Sequence, residues 1–205
     1  MLRVCSLFFL LVLLFSGQSL FAQGWDDPDD DPFTPWEPFA ATPFEAGDRN
    51  FVISLGTLIP TVFIGDEIEN NRHGLALGGV GSLAFNYFLT PTIFVGGELA
   101  GTFIRTRGRN MLYIVPFGAR IGYQLVFNRF EIPVSLMLGG ARHAYLGNVY
   151  FGPIVKPGAS FFWRFNPDWS FGLNSNWWFT PQWPRNGHNV FGNFLELTLS
   201  ARYHF

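Results

Sequence analysis

The chain has one cysteine, Cys5, set inside an apolar run at the N-terminus, so the processed protein is expected to hold no thiol for a disulfide or a cysteine-bound metal. Charge is also scarce: Asp, Glu, Lys and Arg make up 14% of the 205 residues, too few to clothe a soluble core of this size. The formal net charge of -2 comes without the basic stripe that nucleic acid requires, which removes that class of partner. Past the N-terminus there is no run of the roughly 20 apolar residues that a spanning helix needs. The histidines lack ligand spacing such as His-x3-His, and no motif for nucleophilic catalysis occurs, so neither a metal nor another cofactor is expected.

What the chain has instead is aromatic and small: 25 Phe, 7 Trp and 23 Gly. It begins with Arg3, an apolar run from Val4 to Phe15, and then Ser16, Gly17, Gln18 and Ser19. A basic start, a short apolar centre and a small or polar approach are the parts of a secretory signal peptide, expected over residues 1–22 with cleavage after Ala22, although Leu20 is atypical for its place. The stretch from Gly24 to Asp48, GWDDPDDDPFTPWEPFAATPFEAGD, has eight acidic residues, no basic one and five prolines. Like-charge repulsion and proline both oppose a packed core, so residues 23–48 read as a flexible periplasmic arm. From Arg49 onward the balance reverses, with 12 basic against 7 acidic residues.

The final residues, LELTLSARYHF, alternate without a break: Leu195, Leu197, Leu199, Ala201, Tyr203 and Phe205 are apolar, and everything between them is polar. That is the period of a pleated strand with two unlike faces. The same period predicts strands at about 49–59, 74–89, 92–104, 111–127, 129–141, 153–166, 168–180 and 192–205. Tight turns follow the second, fourth and sixth (Thr90-Pro91, Asn128-Arg129, Asn166-Pro167-Asp168), and longer polar loops follow the first, third, fifth and seventh. Short turns at one end and long loops at the other mark a transmembrane barrel, so residues 49–205 are expected to form an all-β, eight-stranded, antiparallel up-and-down barrel whose first strand, near Phe51, pairs with its last, near Leu199. Closure is the only way such strands satisfy their backbone groups in lipid. A soluble β-sandwich or lipocalin-like barrel would reverse the faces. Against it stand polar stripes rich in Gly, Ser and Asn, and apolar stripes ending in Tyr87, Phe127, Phe130, Trp163, Phe165, Trp169, Phe171 and Tyr203, as interfacial girdles do.

The hairpins GVGSLAFNYFLTPTIFVGGELAG and IVPFGARIGYQLVFN, with the ending ARYHF, resemble the small eight-stranded outer-membrane proteins of the OmpW/OmpX/OmpA-barrel group. The resemblance implies a bacterial outer-membrane location and a lipid environment. It also implies recognition of Tyr203 and Phe205 in the last strand by the barrel-assembly machinery.

Carrying the alternation through each strand puts Glu98, Arg120, Glu131, Lys156, Arg164, Glu196 and Arg202 inside. In so narrow a barrel these charges are expected to pair among themselves, the alternative being an ion-conducting lumen. Near the short turns the inward positions are polar (Asn86, Gln124, His204), while near the long loops they turn apolar: Ile104, Ile114, Met137, Ile154, Trp178 and Phe194. That set reads either as a cup for a small apolar ligand or as side chains packing on one another. The OmpW-like resemblance implies binding or passage of small hydrophobic molecules. Arg105, Arg107 and Arg109 continue a lipid-facing stripe to the outer rim, where they suit a phosphorylated glycolipid or simply a solvated turn. His73, His143 and His188, with Asp66, Glu67 and Asn189, are the only candidates for a lipid-modifying enzyme, and no spacing fixes a catalytic pair among them. The leading expectation is therefore a non-enzymatic outer-membrane barrel with a small-molecule pocket; a structural or surface-interaction role through the loops is the alternative.

Overall fold

The computed structural model describes residues 44–65, 74–106, 108, 110–183 and 189–205. Eight strands follow in order: β1 (Arg49–Gly65), β2 (Leu75–Phe88), β3 (Ile93–Thr106), β4 (Met111–Phe127), β5 (Phe130–Tyr145), β6 (Asn148–Arg164), β7 (Trp169–Gln182) and β8 (Val190–His204). Each pairs antiparallel with its sequence neighbours, and β1 pairs with β8 to close the barrel. The closing register sets Leu55 opposite Leu199 and Phe51 opposite Tyr203, four residues from a pairing of Phe51 with Leu199.

The alternation decides the two faces. Leu55 and Leu199 point outward at 69% exposure each, whereas Ser54, Ser200, Glu196 and Arg202 are buried inside. Every aromatic of the short-turn girdle named above is exposed on the outer face. The interior is crowded enough that several inward glycines are obligatory. A Cβ on Gly139 would lie 2.0 Å from the carbonyl oxygen of Phe117, and one on Gly56 2.1 Å from that of Leu197.

Three sequence expectations need correction. The strands next to the outer end run further than periodicity indicated: β1 continues to Gly65 and β6 begins at Asn148. Consequently the connection after β5 is no long loop. It is the two-residue turn Leu146-Gly147, both residues at positive φ (49° and 82°), the geometry that follows the right-handed twist of a hairpin. Alternation in this segment is masked by Gly152 and Pro153, which hide the strand period. The third correction concerns the arm, whose last residues belong to the barrel. Phe44 is 2% exposed and stacks on Phe88 with centroids 4.1 Å apart, while Gly47 and Asp48 hydrogen-bond with the backbone of Phe88.

Candidate functional site

The lumen is filled in layers. At the short-turn end Phe44, Phe88 and Phe94 pack together, and the Arg164 guanidinium lies 5.0 Å from the Phe44 ring centre. Next comes a charged cluster around Glu131, which accepts from Arg202 at 2.6 Å and pairs with Arg164 at 3.2 Å. Arg202 also stacks over Phe162 at 3.8 Å, so its long side chain is held flat. Ser54, Ser200 and Asn174 then tie strands together, with contacts of 2.6 to 3.0 Å.

A second charged cluster lies beyond them. Lys156 bridges two carboxylates, hydrogen-bonding Glu98 and pairing with Glu196 at 2.7 Å, while Arg120 stands 3.6 Å from Glu98 and donates to Ser135 at 2.9 Å. Glu196 accepts further hydrogen bonds from Asn176 at 3.0 Å and from the Trp178 indole at 2.5 Å. Buried charges persist when paired and fully hydrogen-bonded, and this carboxylate has three donors.

Trp178 links that cluster to an apolar layer. Ile104, Ile114, Met137, Ile154, Trp178 and Phe194, together with Leu58, Val80, Ala100 and Ala141, form one buried cluster in which each of the first six is at most 2% exposed. These six side chains thus pack on one another, and none of them lines the cavity found at the barrel mouth. That cavity, about 680 Å3, lies above the layer and draws on the outer ends of all eight strands, among them Phe63, Leu75, Leu112, His143, Tyr150 and Gln182. The cavity therefore lies further out than the six expected positions, one inward step beyond Ile104 and Ile114, two beyond Ile154, Trp178 and Phe194, and three beyond Met137. Extending β6 to Asn148 and β7 to Gln182 in the sequence would have found Tyr150 and Gln182.

Two features of the mouth define its chemistry. Phe63, Leu75 and Leu112 pack against the apolar layer and give it a greasy floor. His143, one inward position above Ala141, contacts Gln182 through Nδ1 at 3.3 Å, and the Tyr150 hydroxyl accepts from the backbone N–H of Trp183 at 3.0 Å. Arg105 is exposed on the outer face, and Asn189 is exposed beside β8. Arg107, Arg109, His73, His188, Asp66 and Glu67 lie outside the described residues.

One serine–histidine contact invites a catalytic reading. Ser170 Oγ lies 2.8 Å from Nε2 of His204, whose Nδ1 faces Arg164 at 3.2 Å. A guanidinium only donates, so Nδ1 accepts and the neutral ring carries its hydrogen on Nε2. Nε2–H then donates to Ser170 and cannot take the serine proton, the reverse of what a nucleophile's base must do.

A family model without a functional description matches residues 29–203, beginning within the acidic arm and running through the barrel. The chain belongs to this family. An uncharacterised protein of Treponema pallidum (strain Nichols) is 34% identical over 101 residues, covering 49% of this chain and 46% of that one, so the chain spans about half the length of that curated relative. Among solved structures, the outer membrane protein OprG from Pseudomonas aeruginosa superposes with a TM-score of 0.54 at 11% identity, covering 78% of this chain and 97% of that one. Neisserial surface protein A gives the same TM-score, identity and coverage. At that identity the likeness concerns the fold, and the fold is that of a small eight-stranded outer-membrane β-barrel.

Proposed function

We propose that this protein resides in the bacterial outer membrane as a closed, non-enzymatic barrel that binds small apolar molecules in its outer mouth and does not pass them through the lumen. The observation that carries this reading is the cavity of about 680 Å3 seated on a packed apolar floor, with two paired charge clusters beneath it. Burying apolar ligand surface there gains about 25 cal/mol per Å2 removed from water. Threading a molecule further would require parting Trp178 from Glu196 and opening ion pairs in a low dielectric, which is costly. The outward belt of Leu, Phe and Trp suits a lipid environment, and the last strand offers Tyr203 and Phe205 on its outer face to the assembly machinery.

The test uses the folded barrel in lipid nanodiscs with N-phenyl-1-naphthylamine as probe. Fluorescence should rise above that of empty nanodiscs, and Leu112→Trp, which fills the mouth from its floor, should abolish the increment while leaving heat-modifiable gel mobility unchanged. Binding no better than to empty nanodiscs would discard the reading in favour of a loop-mediated surface role.

A further inference from the structure

Two arginines stand exposed on the outward face near the long-loop end of the barrel: Arg105, the last outward residue of β3, and Arg142, near the end of β5. Strand β4 runs between them. The register sets Arg105 opposite Met111 and Arg142 opposite Val115. Tyr113, 42% exposed, falls midway between those two positions, paired with Phe103 on one side and Ala144 on the other. Each arginine is therefore a diagonal neighbour of Tyr113 on the same face, about 7–8 Å away along the backbone and within reach of a long side chain.

Their height on the barrel is as telling as their spacing. Arg105 lies twelve residues beyond Ile93, where β3 begins, and Arg142 twelve beyond Phe130, where β5 begins. At about 3.3 Å per residue and a strand tilt near 40°, that is a climb of roughly 30 Å. The apolar band of such barrels is only about 25 Å tall, so both guanidiniums reach the outer headgroup level, where a cation costs little and lipid phosphates lie. Among the described residues the carboxylates stand elsewhere: Glu98, Glu131 and Glu196 in the lumen, and Glu45, Asp48 and Asp168 at the short-turn end. On β6 to β8 the same outer end carries rings instead, among them Phe151, Trp177, Phe179 and Phe191, which suit an interface without a charged partner.

A guanidinium offers paired N–H donors in the geometry of phosphate oxygens, and a phenol adds an O–H donor between two of them. We infer that Arg105, Tyr113 and Arg142 form a seat on the β3–β5 arc for the phosphate of an anionic lipid of the outer leaflet. The inference rests on the membrane location proposed above and is independent of ligand in the mouth.

The experiment incubates the detergent-solubilised full chain with equal amounts of palmitoyl-oleoyl phosphatidylglycerol and the matching phosphatidylcholine, and reads the retained lipid by native mass spectrometry. The wild type should favour the anionic lipid, by roughly fivefold for each arginine. The double variant Arg105→Gln/Arg142→Gln should bring the ratio close to one. Each single variant should fall between, and the singles decide should the double not fold. Arg49→Gln, which removes an exposed cation at the opposite end of the barrel, should leave the ratio unchanged. Equal retention of the two lipids by the wild type, a preference that survives the arginine variants, or one lost as fully in Arg49→Gln overturns the inference and leaves the membrane location standing. Failure of the barrel to insert into bilayers of either lipid sinks both.

Discussion

Lys156 is the one lysine of the chain, against 12 arginines, and it sits where a point charge serves better than a planar fork. Its ammonium group reaches Glu98 and Glu196 together and lies 5.0 Å from the Trp178 ring centre. A compact head with three donors can turn to carboxylates in different directions, whereas a guanidinium presents its donors in one plane. With Arg120 the four charges sum to zero. Lys156→Met leaves two buried carboxylates facing one cation and should cost about 3–5 kcal/mol in urea unfolding of the detergent-solubilised barrel. Adding Glu196→Gln should recover most of that loss, because Glu98 keeps Arg120 and the amide can still accept from Trp178. A double variant no more stable than the single one would show that packing, not charge, sets the cost.

At the level of elements, the ends of the strands differ more than their centres. The β5–β6 turn places Leu146 at φ 49°, a left-handed conformation costing a non-glycine residue about 1–2 kcal/mol, and the side chain is 63% exposed. Asn followed by Gly is the preferred pair for such a turn, so Leu146→Asn should stabilise the barrel by about 1 kcal/mol in the same unfolding assay. A smaller midpoint of unfolding would show that the leucine side chain has a role at the rim. The neighbouring seam behaves otherwise. The β6–β7 ladder begins at Val155 opposite Phe179, and in that register Pro153 would face Pro181. Neither proline has an N–H to donate, so the ladder cannot extend through them. The Tyr150–Trp183 contact crosses the same seam with a side chain in place of backbone pairing.

For the whole molecule the governing fact is that the lumen is full. Three carboxylates and four cations are paired in two clusters, an aromatic group closes the short-turn end with Phe44, and an apolar layer closes the other. A barrel of eight strands has room inside for side chains and little else. Reconstituted in planar bilayers, the wild-type protein should therefore show no steady ion conductance under an applied potential. A stable open step in the intact chain would contradict the layered closure and, with it, the proposal that ligand is confined to the mouth.

Much of this molecule was legible without coordinates, because a barrel in lipid is set by a short-range rule. Side chains alternate, lipid takes the apolar face, and an unpaired edge is not tolerated; from these follow the strand number, the closure of β1 on β8 and the inward placement of Glu98, Glu131, Glu196 and Arg202. What only the tertiary structure decided are the relations between residues far apart in the chain. Period two assigns Lys156 a face and no partner; the stagger of β3, β6 and β8 around the barrel brings it between Glu98 and Glu196. The same holds for Phe44, which composition assigns to an acidic arm and which the aromatic seat of Phe88 and Phe94 takes into the barrel end. The cavity moved outward for a related reason. Glycine and proline near Gly152 and Pro181 hide the alternation, so the strands look shorter in sequence than their hydrogen-bonded length, and His143, Tyr150 and Gln182 come together only when all eight ends are built. Face is a local property of each strand, whereas partnership depends on register and shear, which the whole closed sheet sets at once.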